Sequence, residues 1–137
     1  MTRDGQLVVQ SYIDNPERYI WRVDIVGGKV IVCNRRYAYT HLSEVAICNG
    51  THGGAVEFLS SDEFSAPACT YALQAVAALE LDVAGVDIIA DANDNLYILE
   101  VNPEPDITLN RYEFTHAIAD HLIECASISS PHVVTDT

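Results

Sequence analysis

Nothing in this chain constrains its fold as strongly as Gly27-Gly28, which separates YIWRVDIV from KVIVCNRR. Two adjacent glycines accept the positive φ angles of the mirror-image two-residue turns, whose twist matches that of paired strands. The preceding stretch alternates, with Ile20, Arg22, Asp24 and Val26 on one face and Tyr19, Trp21, Val23 and Ile25 on the other. That period of two, in residues rich in β-branched and aromatic types, predicts an antiparallel hairpin.

A second hairpin follows from VAGVDIIA and LYILEVN, joined by the polar turn DANDN. LVVQSYI (Leu7 to Ile13) reads as a further strand, closed off by the turn DNPER. From Tyr37 to Asn49 the periodicity fades, which predicts a loop with a short strand at its end, and NGTHGG then reads as an exposed glycine loop. Ser60 and Glu63 form a capping-box pair before a helix. Its buried stripe is Phe64, Ala68, Tyr71, Ala72, Ala75, Val76 and Leu79, and Pro67 moves the start to Ser65. A second helix is predicted from Tyr112 to about Cys125, with Phe114, Ile118, His121 and Leu122 at helical spacing. The expected fold class is α+β: a mostly antiparallel sheet with two helices packed on one face. Residues 1–126 form the domain, and 127–137 read as a frayed tail.

With 137 residues, 49% of them hydrophobic, the chain is one domain or a piece of a larger protein. No apolar run approaches the roughly 20 residues of a membrane span, and the N-terminus lacks a signal-peptide layout. Net charge is −13, and Lys29 is the one lysine. Such a surface repels nucleic acid and anionic lipid, so neither is an expected partner. It serves solubility or reflects adaptation to high salt; composition does not separate the two. The four cysteines lack Cys-x-x-Cys spacing, which gives reduced, packed thiols and a cytoplasmic setting.

Three polar groups interrupt the second hairpin: Asp87, Glu100 and Asn102. With the turn centred near Asn93, Asp87 and Glu100 fall at roughly matching depth, about 5 Å apart if directly opposed. Asn102, two residues on, returns to the face of Glu100. Two carboxylates and an amide oxygen are hard donors suited to Mg²⁺ or Mn²⁺. A solvent-facing polar side that merely tolerates like charges is the competing reading. Half of the chain's six arginines, Arg22, Arg35 and Arg36, lie on the first hairpin. Guanidinium groups grip phosphate or carboxylate, and salt bridges to the abundant acids explain them equally well. NGTHGG lacks the lysine of a P-loop, and His52, His116 and His121 show no ligand-pair spacing.

Taken in order, these segments resemble the C-terminal half of an ATP-grasp domain, closest to the ribosomal-protein-S6-type α-L-glutamate ligases. LVVQSYI is similar to the hinge strand beside adenine, WRVDIVGGKVIVCNRR to the arginine-bearing hairpin, and NGTHGG to the asparagine-containing glycine loop. The A-G-V-D and E-V-N-P elements of LELDVAGVDIIADANDNLYILEVNPEPD carry the most specific likeness. The resemblance implies ATP-dependent carboxylate–amine ligation through an acyl phosphate. Asp87, Glu100 and Asn102 would hold Mg²⁺ (or Mn²⁺), Ser11 and Tyr12 would meet adenine, and Asn49 would approach the phosphates. Arg22 and Arg36 would steady the γ-phosphate or acyl phosphate.

The chain departs from the family at Ser11, where relatives carry glutamate, at Ile20, where a ribose-binding acid is expected, and at Ile47, where an arginine is expected. The closing motif is altered to Asn102-Pro-Glu-Pro-Asp106. The N-terminal half, with its phosphate-binding lysines, is not in this sequence. The expectation is therefore a piece or split subunit of a ligase, inactive alone, with a carboxylate substrate and either an N-terminal partner subunit or a homo-oligomer. The alternative is a non-catalytic remnant that binds nucleotide or protein, or a stable truncated domain with no ligand.

Overall fold

The computed structural model describes residues 9–38, 54–62, 66–106 and 111–128. Among them the element order is β1 (Tyr19–Val26), β2 (Lys29–Tyr37), β3 (Val56–Phe58), α1 (Ala66–Ala78), β4 (Val83–Ala90), β5 (Leu96–Asn102) and α2 (Arg111–Ile128). The strands form one five-stranded sheet in the order β3-β2-β1-β4-β5, and every pairing is antiparallel. The α+β architecture expected from the sequence is therefore the one observed.

Both hairpins form where predicted. Gly27 and Gly28 have φ of +55° and +71°, and Val26 pairs with Lys29 across them. The other turn is held by one carboxylate. Asp91 Oδ1 accepts the backbone N–H groups of Asn93 (2.8 Å) and Asn95 (2.9 Å), and Oδ2 accepts from Asn95 Nδ2 and the Tyr97 hydroxyl. Those bonds, the Asn95 side chain first, hold the Asp91 carboxyl below its ordinary pKa.

The pairing is not regular in either hairpin. Asp24 opposes Val32 while Ile25 opposes Val30, so Ile31 is an extra residue. Likewise Ile88 opposes Ile98 while Asp87 opposes Glu100, which makes Leu99 the extra one. Counting outward from the turn without this bulge would set Asp87 against Leu99. Glu100 would then project from the other side, because a one-residue slip turns every side chain over. The bulge is what puts the two carboxylates on one face.

The opposite face is the core. Trp21, Val23 and Ile25 of β1, Cys33 of β2, and Ala84, Val86 and Ile88 of β4 pack against Ala68, Ala72 and Val76 of α1. Those α1 residues recur every fourth position, and the two alanines let the helix lie close to the sheet. The buried stripe is narrower than predicted. Tyr71 and Leu79 are exposed at the helix margins, and Phe64 lies outside the described residues. Pro67 falls in the first turn, where no intrahelical N–H is needed.

α2 docks beside the Gly27-Gly28 turn, with Phe114 buried and His121 against the turn itself. A methyl on Gly27 would sit 2.6 Å from His121 Nδ1. This helix runs to Ile128, past the predicted Cys125, and leaves Leu122 exposed.

One strand expectation needs correction. Val9 to Ile13 adopts no strand, since a lone extended segment has no ladder to join; Val9 and Tyr12 are exposed. The short strand expected before Asn49 lies outside the described residues, and a strand that was not expected appears at Val56–Phe58. The capping glutamate, Glu63, lies outside the described residues.

Candidate functional site

The face away from α1 carries the chemistry. Cross-strand register lays Asn34, Arg22, Asp87 and Glu100 in a single row over β2, β1, β4 and β5. The neighbouring row holds Val32, Asp24, Gly85 and Asn102. Arg36, two residues beyond Asn34, shares this face, as the alternation of β2 requires.

Arg22 is buried between two carboxylates. Its Nε–H donates to Asp24 Oδ1 (2.8 Å) and its Nη1 to Asp87 Oδ1 (3.1 Å). Burial alone would lower the pKa of this guanidinium; Asp87 and then Asp24 outweigh it and raise the value. The head group lies directly over Gly85, where any Cβ would collide with the guanidinium. The glycine of A-G-V-D thus exists to admit an arginine.

Arg36 is half-buried, and its Nε–H donates to Asn34 Oδ1 (3.3 Å). Burial, and then the like charge of Arg22, pushes its pKa down. Asn34 is fully buried, and its Nδ2 has no hydrogen-bond partner. An unmet buried donor costs about 1–3 kcal/mol, so an anionic oxygen beside Arg36 would be favoured there.

Asp87 is mostly buried and Glu100 exposed, directly paired in the ladder. Among the described residues Glu100 has no ion-pair partner. Asn102 Oδ1 accepts the Glu104 N–H (2.8 Å), which fixes the amide and leaves the oxygen a second lone pair. Among the described residues no three or more His, Cys, Asp or Glu side chains stand together so that they alone could hold a metal ion. The donor set is two opposed carboxylates and one amide oxygen. Opposed like charges destabilise a sheet, and Arg22 offsets only Asp87, so this hard-oxygen set fits a divalent cation.

Arg35 does not join the other arginines. It projects to the other face, pairs with Glu57 (3.3 Å) and lies 5.3 Å from the centre of the Tyr19 ring. Ser11 and Tyr12 are exposed on the unpaired N-terminal segment, while Asn49 and His52 fall outside the described residues. Sequence reasoning did not single out Asp24, Asn34 or Gly85. The signal for the first was there: Asp24 lies two residues from Arg22 on the same strand face.

Residues 2–126 match the model of the RimK-like ATP-grasp domain. The chain belongs to that family. It is 33% identical over 104 residues to a probable α-L-glutamate ligase of Aeromonas salmonicida (strain A449), covering 76% of this chain and 33% of that one. The chain thus spans about a third of the length of the relative it matches. Its fold is similar to the ATP-grasp ligase PsnB, solved with a phosphomimetic precursor variant, Mg and ADP (TM-score 0.57, 20% identity, 79% of this chain and 32% of that one). It is also similar to the macrocyclase MdnC bound to precursor peptide MdnA from Microcystis aeruginosa MRC (TM-score 0.56, 15% identity, 78% and 34%). A Chryseobacterium gregarium RiPP-associated ATP-grasp ligase, solved with ADP and a leader and core peptide, gives a TM-score of 0.58 at 17% identity over 87% and 35%. Among the described residues no helix is long and apolar enough to cross a membrane.

Proposed function

We propose that this domain supplies the metal-and-phosphate face of an ATP-dependent carboxylate–amine ligase acting in the cytoplasm. The observation that carries the reading is the direct pairing of Asp87 with Glu100 on the face that also holds Arg22 and Arg36. Asp87, Glu100 and Asn102 hold Mg²⁺ or Mn²⁺. Bound there, the cation neutralises phosphate charge and aligns the transferring phosphoryl group.

The chain's own residues do the rest. Arg36, with the Asn34 amide beside it, receives the anionic oxygens of the γ-phosphate or of the acyl phosphate formed on the carboxylate substrate. Arg22 offsets the charge of Asp87 at the centre of the row. Ser11 and Tyr12 meet adenine, and Asn49 approaches the phosphates. The sole lysine, Lys29, sits at the Gly27-Gly28 turn, four strand positions or more from the row, so lysine contacts to the α- and β-phosphates come from outside this sequence: an N-terminal half of the same protein, an N-terminal partner subunit or a second copy.

Calorimetric titration with Mg-ATP tests this. Wild-type chain should give metal-dependent heat, and Asp87→Asn combined with Glu100→Gln should abolish it. Equal heat in both proteins, or none in either, sinks the metal assignment.

A further inference from the structure

Arg22 is in an unusual position for a residue expected to serve a phosphate. Two carboxylates already occupy two of its edges, and its side chain and that of Asp24 are each about 5% exposed or less. A buried ion triad is costly to build, so each member needs a role. Asp24 does not belong to the candidate metal set. It lies one row away, opposite Gly85; it holds Arg22 directly, and its charge also acts on Arg36.

The geometry shows what it does there. Alone beside Asp87, an arginine would take both carboxylate oxygens in a bidentate fork, the preferred arrangement of that pair. Such a fork would neutralise Asp87 and occupy the oxygens a cation needs. Here the Nε edge is turned towards Asp24, the plane of the guanidinium lies over Gly85, and Nη1 meets Asp87 through Oδ1. Oδ2 stays outside that bond.

We propose that Asp24 is a positioning residue for the metal site. By holding the Nε–H of Arg22, it keeps the guanidinium from closing on Asp87 and leaves Oδ2, with Glu100, for a divalent cation. Gly85 belongs to the same device, since only a residue without Cβ lets the head group lie flat. The inference rests on the metal reading above and adds a residue to it.

The test is Mn²⁺ affinity of the full chain without nucleotide, read from the electron paramagnetic resonance of free Mn²⁺. It compares wild type, Asp24→Asn and Asp24→Ser. Both variants lose the charge; asparagine keeps an oxygen within reach of Nε, and serine does not. Asp24→Ser should weaken Mn²⁺ binding about tenfold, the usual scale for residues that orient metal ligands, and Asp24→Asn should lose less. Equal losses would mean that Asp24 acts only as a nearby charge, and would overturn the relay. If wild type takes no Mn²⁺, the metal assignment itself fails, and nitrogen-15 spectra of Arg22 then decide the relay. Its Nε–H should be protected from exchange in wild type and Asp24→Asn and unprotected in Asp24→Ser; three alike spectra would overturn it.

Discussion

The two hairpins solve the same problem by different means. In β1–β2 the turn is two glycines in left-handed conformation, and the strands bring arginines to the polar face. In β4–β5 the turn is a loop tied by Asp91, and the strands bring carboxylates. Each carries one bulge. The first bulge, at Ile31, lies at the α2 end of the sheet; the second, at Leu99, sits beside Asp87 and Glu100 and sets their face. The glycine turn therefore serves packing, and in β4–β5 it is the bulge that serves register.

The sharpest way to break that comparison is at the point where the two hairpins meet. Gly85→Ala drives a methyl into the Arg22 guanidinium and must displace it from both carboxylates. A loss of about 3 kcal/mol or more is expected in urea unfolding, combining overpacking with a disturbed buried ion pair. Unchanged stability would mean that Arg22 does not lie across β4. Next comes the glycine turn. Gly27→Ala meets both a positive φ and His121, whereas Gly28→Ala meets open space and pays for φ alone. Expected losses are about 2 and about 1 kcal/mol respectively, and the difference reports how firmly α2 is docked. Equal losses would detach α2 from the turn.

The smallest effect belongs to Asp91. Its folded pKa lies below the unfolded value, so its contribution to stability is complete above the unfolded pKa and fades as pH falls through the folded one. Asp91→Ala should therefore lower stability at neutral pH and should match wild type more closely in acid. A gap between the two proteins that widens in acid would contradict the assigned role. Deleting Leu99 probes the same hairpin differently. The pairing of Asp87 with Glu100 should survive, because the remaining residues then alternate regularly, and Mn²⁺ affinity should persist. Its loss would show that the extra twist of the bulge, rather than pairing alone, aims Glu100.

Much of this was legible in the sequence for local reasons. Gly27-Gly28 and the alternation around it announce a hairpin, and Asp87, Glu100 and Asn102 announce a polar interruption in a second one. What stayed hidden depends on distant partners. The Leu99 bulge leaves no mark on composition, and turn symmetry alone would have paired Asp87 with Leu99. Arg35 and Arg36 are adjacent letters, yet alternation sends one to Tyr19 and Glu57 and the other to Asn34. Leu7 to Ile13 has strand propensity, but propensity forms no strand without a neighbouring edge. Asp24 read as one more acid until β4 placed Gly85 and Asp87 beside it.

The row from Asn34 through Arg22 and Asp87 to Glu100 also has a direction. Neighbouring strands are about 4.8 Å apart, so roughly 14 Å separate its ends. Positive and donor groups stand over β2 and β1, negative ones over β4 and β5. Asp24 offsets Arg22 within β1, so the sheet face is polar from Arg36 over β2 to Glu100 over β5. On the proposed function, a complex of a polyanion with a divalent cation would lie on it with the anion towards β2 and the cation towards β5. Its orientation would then be set before any contact specific to the rest of the ligand is made.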